Sequence, residues 1–336
     1  MGWSKRWVAV VSGLALLTAG CGDAAGDGPV LTLYNAQHED LMRSMVDGFT
    51  EETGIRVEFR QGADFELANQ IVQEGDASPA DVFATENSPA MSLVDSEGGF
   101  ARLDDATVAQ VPTEYVPSSR NWTGFAARAT VLVYNTDALT EAELPKSIMD
   151  LARPEWRDRI GVAAAGADFQ AIVSAVLEVE GEAATAKWLS GLKTNAGIYE
   201  HNIATMTAVN AGEIDAGVIY HYYWYKDQAE SGKNSANTKL KYFGGKDPGA
   251  FLSVSGIGVV KASDDQQNAQ RLVKYLTSEA GQQIMSDGGA LEYSIASDVA
   301  PNSKLKPLAE LDAPEIDVAK LNGPKVVELM QNAGLL

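Results

Sequence analysis

The sequence has 336 residues with 26 basic and 46 acidic side chains, which gives a formal net charge of −20. Its 45% hydrophobic and 21% charged residues are typical of a globular protein. The length allows two domains, because single cores rarely grow beyond about 250–300 residues. An acidic chain of this kind is not expected to bind nucleic acid, since phosphate contacts need clustered Lys and Arg.

The first twenty residues are typical of a signal peptide. Lys5 and Arg6 precede an apolar run at 7–17 that is too short to span a membrane. The run leads into Leu-Thr-Ala-Gly-Cys, which resembles the lipobox of bacterial lipoproteins and ends at Cys21, the sole cysteine. Thr18 stands where leucine is usual, and a plain secretory signal is the alternative. We expect a signal peptide at 1–20, a lipidated Cys21 with a tether at 21–29, and an extracytoplasmic protein anchored to the bacterial membrane.

The first third of the mature chain predicts alternating strands and helices. Apolar stretches at 30–34, 55–59 and 80–84 are typical of strands. Apolar residues at helical spacing predict helices at 41–49, 67–72 and 90–94. This order predicts the start of a doubly wound α/β sheet.

A second α/β unit follows. Strands are predicted at 128–134, 159–163, 216–219, 239–243 and 251–260. Helices are predicted at 169–179, 184–192, 267–276 and 280–285, and another helix leads to Val209 with Asn202 as its cap.

Two polar side chains follow strands of the first unit. His38 comes after the first strand and Glu86 after the third, at the carboxyl ends where open α/β sheets bind ligands. Each has an ordinary explanation, because Glu86 could cap the next helix and His38 could be a hydrogen-bonded loop residue. Their equivalent placement favours a shared site.

An aromatic stretch, Tyr220-His221-Tyr222-Tyr223-Trp224, follows a strand of the second unit. Tyr222 and Tyr223 would point to opposite faces of a continued strand, so they converge on one ligand only if the backbone turns. The alternative is an aromatic packing cluster. We expect His221 and His201 to be structural.

One imidazole, one carboxylate and two phenols favour a hard trivalent cation. Free tyrosine has a pKa of about 10, so only a strongly polarising ion would deprotonate two phenols at neutral pH. Zinc and copper would more naturally take His and Cys, and calcium would take several carboxylates. Four protein ligands leave room for water or a small anion.

The chain resembles the ferric-ion-binding family of ABC-importer substrate-binding proteins. The resemblance covers nearly the whole mature chain, through YNAQHED at 34–40, SPADVFATE at 78–86, RPEWRDRIG at 153–161, NAGEIDAGVIYHYYW at 210–224, DPGAFLSVSG at 247–256 and LEYSIA at 291–296.

The resemblance implies a periplasmic-binding-protein-like fold of two lobes, each a mixed sheet flanked by helices, with a cleft between them. The first lobe would comprise 30–129 with 253–304, and the second 130–252 with 305–336. Fe³⁺ would be held by His38 and Glu86 from the first lobe and by Tyr222 and Tyr223 from the second.

The resemblance also implies a synergistic anion such as phosphate or carbonate. The matching positions are Asn87, Arg128, the Gly166 and Ala167 backbone, and Asn202. Two departures leave the anion's identity open, because the serine expected near Ala165 is absent and Tyr220 replaces an asparagine. Tyr220 is included among the candidate anion contacts, with an added phenol ligand or simple packing as the alternatives. Glu39 after His38 argues against the tyrosine-rich, anion-independent members.

The expected function is therefore a monomeric receptor, with no enzymatic activity, that delivers ferric iron to the permease and ATPase of an ABC transporter. One alternative is a receptor for an organic anion, a polyamine or a sugar, with Tyr222 and Trp224 as a stacking platform. A less favoured alternative is a secreted metal-dependent hydrolase that uses His38 and Glu86.

Overall fold

The structure is a computed structural model that describes residues 1–2 and 28–336. The expected signal peptide, Cys21 and most of the tether lie outside the described residues. Within 28–336, no helix combines the length and the apolar character needed to cross a membrane.

The strands fall mostly where the apolar patterns predict them. Their bounds are β1 (Val30–Asn35), β2 (Arg56–Gln61), β3 (Val82–Ala84), β4 (Trp122–Asn135), β5 (Ile160–Val162), β6 (Ala196–Ile198), β7 (Ala216–Tyr220), β8 (Thr238–Lys241), β9 (Leu252–Val259) and β10 (Tyr293–Ser294). The main difference from prediction is β4, which begins six residues earlier than the apolar run at 128–134 because the uncharged, buried residues WTGFAA continue the strand.

The helices separate these strands along the chain. Their bounds are α1 (Glu39–Thr53), α2 (Asp64–Glu74), α3 (Ser88–Ser96), α4 (Asp105–Val108), α5 (Ala167–Glu180), α6 (Glu182–Asn195), α7 (Asn202–Ala211), α8 (His221–Glu230), α9 (Gln266–Leu276), α10 (Glu279–Asp287) and α11 (Gly323–Asn332). Short 3₁₀ turns fill several of the connections. The expected α/β class is confirmed.

A continuous series of strands runs through both halves in the order β2-β1-β3-β9-β4-β7-β5-β6. The long strand β4 belongs to both halves. Its first part pairs with β9 and β10, and its second part, from Thr130 onwards, pairs with β7 and β8. The pairs β1–β2, β1–β3, β5–β6 and β5–β7 are parallel, and the pairs made by β4 are antiparallel, so the sheet is mixed.

Alternation along each strand divides the core between two faces. In β4, Leu132 and Tyr134 join one hydrophobic cluster, whereas Val131 and Val133 join another. In β1, Leu33 and Tyr34 likewise enter different clusters. Because successive side chains of a strand point to opposite faces, helices cover both faces of each half.

Candidate functional site

The first half brings His38 and Glu86 together at one edge of the sheet. β1 and β3 are neighbouring parallel strands, and each of these residues comes a few positions after its strand ends. The His38 Nε2 atom lies 3.5 Å from Glu86 Oε1. The expectation that both side chains lie at the same strand ends is therefore confirmed.

The second half supplies the phenols through a sharp change of direction. β7 ends at Tyr220 and α8 begins at His221, so the backbone turns as convergence of the tyrosine pair requires. The Tyr222 and Tyr223 ring centroids lie 4.1 Å apart. The Tyr222 hydroxyl donates to Glu86 Oε1 at 3.2 Å, and the Tyr223 hydroxyl donates to Asp168 Oδ2 at 3.0 Å.

Glu86 Oε1 is the atom on which these contacts converge. Besides His38 and Tyr222, it forms an ion pair with the Arg128 guanidinium, which is fully buried. Arg128 also donates to Ser255 Oγ at 3.1 Å and lies 3.7 Å from Glu292 Oε2. A carboxylate largely removed from water needs a partner charge, and for the partly buried Glu86 this structure supplies Arg128.

Glu292 fixes the orientation of His38. The His38 Nδ1 atom lies 2.8 Å from Glu292 Oε1, and because a carboxylate accepts, Nδ1 carries the proton of this hydrogen bond. In the neutral form of the ring, Nε2 then has the free lone pair. Burial lowers the pKa of His38, but its hydrogen bond to Glu292 and the charges of Glu292 and Glu86 outweigh burial and raise it. A carboxylate on the far ring nitrogen is the usual partner of a metal-binding histidine.

The phenols are held in their neutral form. Burial, followed by the charges of Glu86 and Asp168, raises the pKa of Tyr222 well above its usual value. Burial and the charges of Asp168 and Glu86 likewise raise the pKa of Tyr223. Only a cation placed between these oxygens would favour their deprotonation.

Two of the residues expected to bind an anion contact the carboxylate of Asp168. Asn202 Nδ2 donates to Asp168 Oδ2 at 2.7 Å, and Asn87 Nδ2 lies 3.3 Å from Asp168 Oδ1. Gly166 and Ala167 form the start of α5, directly before Asp168. The Tyr220 hydroxyl is turned to the Asp168 backbone carbonyl at 3.2 Å.

Arg128 is the remaining predicted anion contact. It forms its ion pair with Glu86 and not with Asp168. Its guanidinium also lies 5.4 Å from the centroid of the Tyr220 ring.

The prediction that Asn202 caps α7 is wrong, because the capping side chain is His201, whose Nδ1 accepts from the Ala204 amide.

Sequence reasoning missed three carboxyl groups of the site. Glu292 lies inside the stretch LEYSIA at 291–296, and Asp168 lies directly before the helix predicted at 169–179, but no pattern indicated their partners. Asp64 accepts from the Glu86 and Asn87 amides at 2.8 and 3.1 Å and so shapes the loop after β3. Burial, followed by the charge of Glu86, raises the pKa of Asp64 and of Asp168 to about 7.

The other aromatic and histidine side chains are structural, as expected. His221 is buried, accepts from the Ala129 amide through Nδ1 at 3.1 Å, and stacks on Tyr293. Trp224 Nε1 donates to Thr238 Oγ1 at 3.0 Å. A stacking platform of Tyr222 and Trp224 is disfavoured, because Tyr222 is only 1% exposed. His201 and His221 are engaged elsewhere, so neither joins His38 and Glu86.

A cavity of about 360 Å³ opens onto the site and is lined by His38, Tyr222 and Tyr223. A cavity of about 420 Å³ beside β9 contains none of the predicted ligands. In the described part of the chain, His, Cys, Asp and Glu alone form no metal-type cluster of three or more. The Tyr222 and Tyr223 hydroxyls are further oxygen donors beside His38 and Glu86.

Comparisons with known proteins identify relatives of this chain. The family model described as bacterial extracellular solute-binding protein matches residues 77–319. An Fe(3+)-binding periplasmic protein of Serratia marcescens is 55% identical over 98% of this chain and 97% of its own.

Solved structures of similar proteins contain iron. The iron-bound HitA of Pseudomonas aeruginosa is 39% identical, covers 91% of this chain and 99% of its own, and superposes with a TM-score of 0.86. A Trichodesmium FutA in complex with iron and citrate is 26% identical, covers 91% and 100% of the two chains, and has a TM-score of 0.81. The chain therefore belongs to the bacterial extracellular solute-binding proteins and, among them, to the ferric-ion-binding family.

Proposed function

We propose that this chain captures ferric iron with His38 Nε2, Glu86, Tyr222 and Tyr223 as its protein ligands. The observation that carries the proposal is the convergence on Glu86 Oε1, with His38 Nε2 at 3.5 Å and the Tyr222 hydroxyl at 3.2 Å. These contacts join the carboxyl ends of β1 and β3 to the first turn of α8. A ligand bound there touches both halves of the molecule at once.

The charges support a trivalent ion. Two phenolates and one carboxylate offset three positive charges, and the imidazole adds a neutral donor. Because the pKa of both phenols is raised in the iron-free state, binding must release their protons. Acid should therefore weaken iron binding. Iron would also replace Arg128 as the cation nearest to Glu86.

A small anion belongs to this proposal. Asn87, Arg128, Asn202 and the Gly166–Ala167 backbone offer donors beside the phenols, and Tyr220 lies behind them. Phosphate or carbonate fits such donors. The Trichodesmium neighbour was solved with iron and citrate together.

The partner and location follow from the family in general terms. Extracellular solute-binding proteins work outside the cytoplasm with ABC transporters and are not an enzyme family. For this chain we infer delivery of iron to one permease and ATPase complex by a monomer that performs no catalytic step. We further infer that lipidated Cys21 anchors it to the membrane.

Two lobes moving about β4 would couple capture to delivery. The proposed lobes are 30–129 with 253–304 and 130–252 with 305–336. Closure around iron would assemble ligands from both lobes and produce a shape that the permease can distinguish. The separate hydrophobic clusters support a division into two lobes. Within 305–336, α11 packs on the second lobe, whereas Leu305, Leu311 and Val318 pack with a cluster of the first lobe.

A colour test addresses the proposal. Ferric iron added with citrate or phosphate should produce a visible phenolate-to-iron absorption band. The band should be lost in a Tyr222→Phe, Tyr223→Phe double variant. A matched double variant, Tyr199→Phe with Tyr275→Phe, removes two phenols outside the site and should keep the band.

Wild-type protein that remains colourless and iron-free would overturn the proposal. So would a band that persists in the Tyr222→Phe, Tyr223→Phe variant, because the iron would then be bound elsewhere.

A further inference from the structure

Gln37 links the histidine of the site to the carboxylate behind it. The Gln37 side chain is 3% exposed and lies in the turn between β1 and α1. Its Oε1 atom accepts from the His38 backbone amide at 2.7 Å. Its Nε2 atom donates to Glu292 Oε2 at 3.2 Å and to Ser255 Oγ at 2.8 Å. One side-chain amide therefore connects the turn after β1 with β9 and with the residue before β10.

Ser255 extends this connection to the other proposed ligand of the first half. Its hydroxyl donates to the Glu86 backbone carbonyl at 3.2 Å, and the same oxygen accepts from Gln37 and from Arg128. Ser255 is fully buried in β9. A chain of buried hydrogen bonds thus joins the backbones of His38 and Glu86. Such support holds ligands in place before a metal arrives.

A second donor competes with Gln37 for the Glu292 carboxylate. Arg128 Nε lies 3.7 Å from Glu292 Oε2, the same oxygen that Gln37 contacts. Although it is buried, Arg128 Nε makes no hydrogen bond within the part of the chain that the structure describes. An unpaired buried donor costs free energy, and a charged donor forms the stronger hydrogen bond. Arg128 therefore favours a rotation of the carboxylate towards itself, and the hydrogen bond from Gln37 opposes that rotation.

We propose that Gln37 is a positioning residue of the iron site, which holds the Glu292 carboxylate on His38 Nδ1 and away from Arg128. This inference rests on the proposed function, in which His38 binds iron through Nε2. Gln37 itself does not touch the metal and acts through Glu292. Without Gln37, Glu292 turns to Arg128, and the His38 ring loses the hydrogen bond that fixes its tautomer and its orientation.

The tautomer of His38 in the iron-free protein tests the inference without any metal. The full chain has three histidines, so ¹⁵N-histidine labelling gives few ring signals, and a His38→Ala variant identifies those of His38. Nuclear magnetic resonance spectra are recorded at about pH 9, above the ordinary histidine pKa of about 6.5. Wild type should show the Nδ1–H form alone. Gln37→Met, which keeps an unbranched side chain but has no amide, should show both tautomers.

Iron affinity, measured by competition with EDTA, tests the consequence for the metal. Gln37→Met should bind ferric iron about 10-fold more weakly, the lower end of the usual loss when an outer hydrogen-bond partner of a metal ligand is removed. If Gln37 acts through Glu292, the same substitution made in a Glu292→Gln background should change the affinity by less than about twofold.

Asn195→Leu is the matched control. Asn195 is also 3% exposed, and its Nδ2 donates to the Leu151 and Arg153 carbonyls at 3.0 and 2.7 Å, outside the site. This variant loses two buried amide hydrogen bonds, as Gln37→Met does, but it should keep the wild-type iron affinity and His38 tautomer.

A second variant keeps the test decisive if Gln37→Met does not fold. Gln37→Asn retains a polar amide but is one methylene shorter, so it cannot bridge the His38 amide and the Glu292 carboxylate. It should show the same mixture of tautomers as Gln37→Met.

A His38 ring that stays wholly in the Nδ1–H form in the folded Gln37 variants would overturn this inference alone. So would an affinity loss of equal size in the wild-type and Glu292→Gln backgrounds, or a mixture of tautomers in Asn195→Leu. Wild type that takes up no iron would overturn the proposed function, whereas the tautomer would still decide whether Gln37 holds Glu292 on His38.

Discussion

The Tyr222 hydroxyl donates to Glu86 Oε1 at 3.2 Å although 136 residues separate the two side chains in the sequence. Glu86 follows β3 and Tyr222 lies in the first turn of α8, so the contact joins the two halves of the molecule. Tyr222 is 1% exposed. Two of the proposed ligands are thus already in contact before iron binds, which reduces the reorganisation that capture requires.

Replacing Glu292 with glutamine should weaken iron binding by about 10–100-fold, the usual effect of losing a carboxylate behind a metal-binding histidine. The substitution removes the negative charge of Glu292, which holds the proton on His38 Nδ1. Glu292 Oε1 and His38 Nδ1 lie 2.8 Å apart. Iron affinity can be measured by competition with a chelator.

A double-mutant cycle provides the control for this effect. If Glu292 acts through His38, the Glu292→Gln substitution should cost far less in a His38→Ala background. Equal losses in both backgrounds would contradict a positioning role.

Replacing Tyr220 with phenylalanine should leave the iron absorption band in place. Its hydroxyl donates to the Asp168 backbone carbonyl at 3.2 Å and its ring lies beneath the Arg128 guanidinium. Loss of that hydrogen bond should reduce the free energy of unfolding by about 0.5–1.5 kcal/mol. Urea titration measures the stability, and a lost band would show that Tyr220 is itself a ligand.

Replacing Arg128 with methionine should destabilise the iron-free protein by about 3–5 kcal/mol, because it leaves buried carboxylates without their partner charge. Arg128 pairs with Glu86 and lies 3.7 Å from Glu292, which is fully buried. Adding Glu292→Leu to Arg128→Met should restore part of the loss. An unchanged urea midpoint in Arg128→Met would argue against this pairing.

Acid should lower the stability of the iron-free protein through His221. Burial lowers the pKa of His221 to about 3, whereas the unfolded chain has the ordinary value of about 6.5. Between these values the unfolded state binds a proton that the folded state does not, so stability falls as the pH is lowered. The slope approaches about 1.4 kcal/mol per pH unit.

The variant His221→Asn isolates this contribution, since the asparagine oxygen can still accept from the Ala129 amide. The raised pKa values of Asp64 and Asp168 act in the opposite direction and are present in both proteins, so they cancel in the difference. The stability advantage of wild type over variant, from urea titrations at several pH values, should shrink as the pH falls from about 6.5. A constant difference would contradict the assignment.

The local features of this site could be predicted from the sequence. Buried strands and helical spacing placed His38 and Glu86 after parallel strands, and the Tyr222–Tyr223 pair after another. The end of the strand near Ile219 was predictable because the apolar run stops there. The start of α8 at His221 was not predicted. These features depend on neighbours within a few positions, which a periodic pattern records.

The tertiary structure alone decided which side chains meet. Glu292 reaches His38 across 254 residues, and Asn87 reaches Asp168 across 81. A hydrophobic pattern reports which face of an element is buried, but it does not report which polar groups will share the buried space. The chain by itself therefore determined an α/β fold and a set of oxygen and nitrogen donors at strand ends. That Asn87 and Asn202 both contact the Asp168 carboxylate could be seen only when β3, α5 and α7 were packed together.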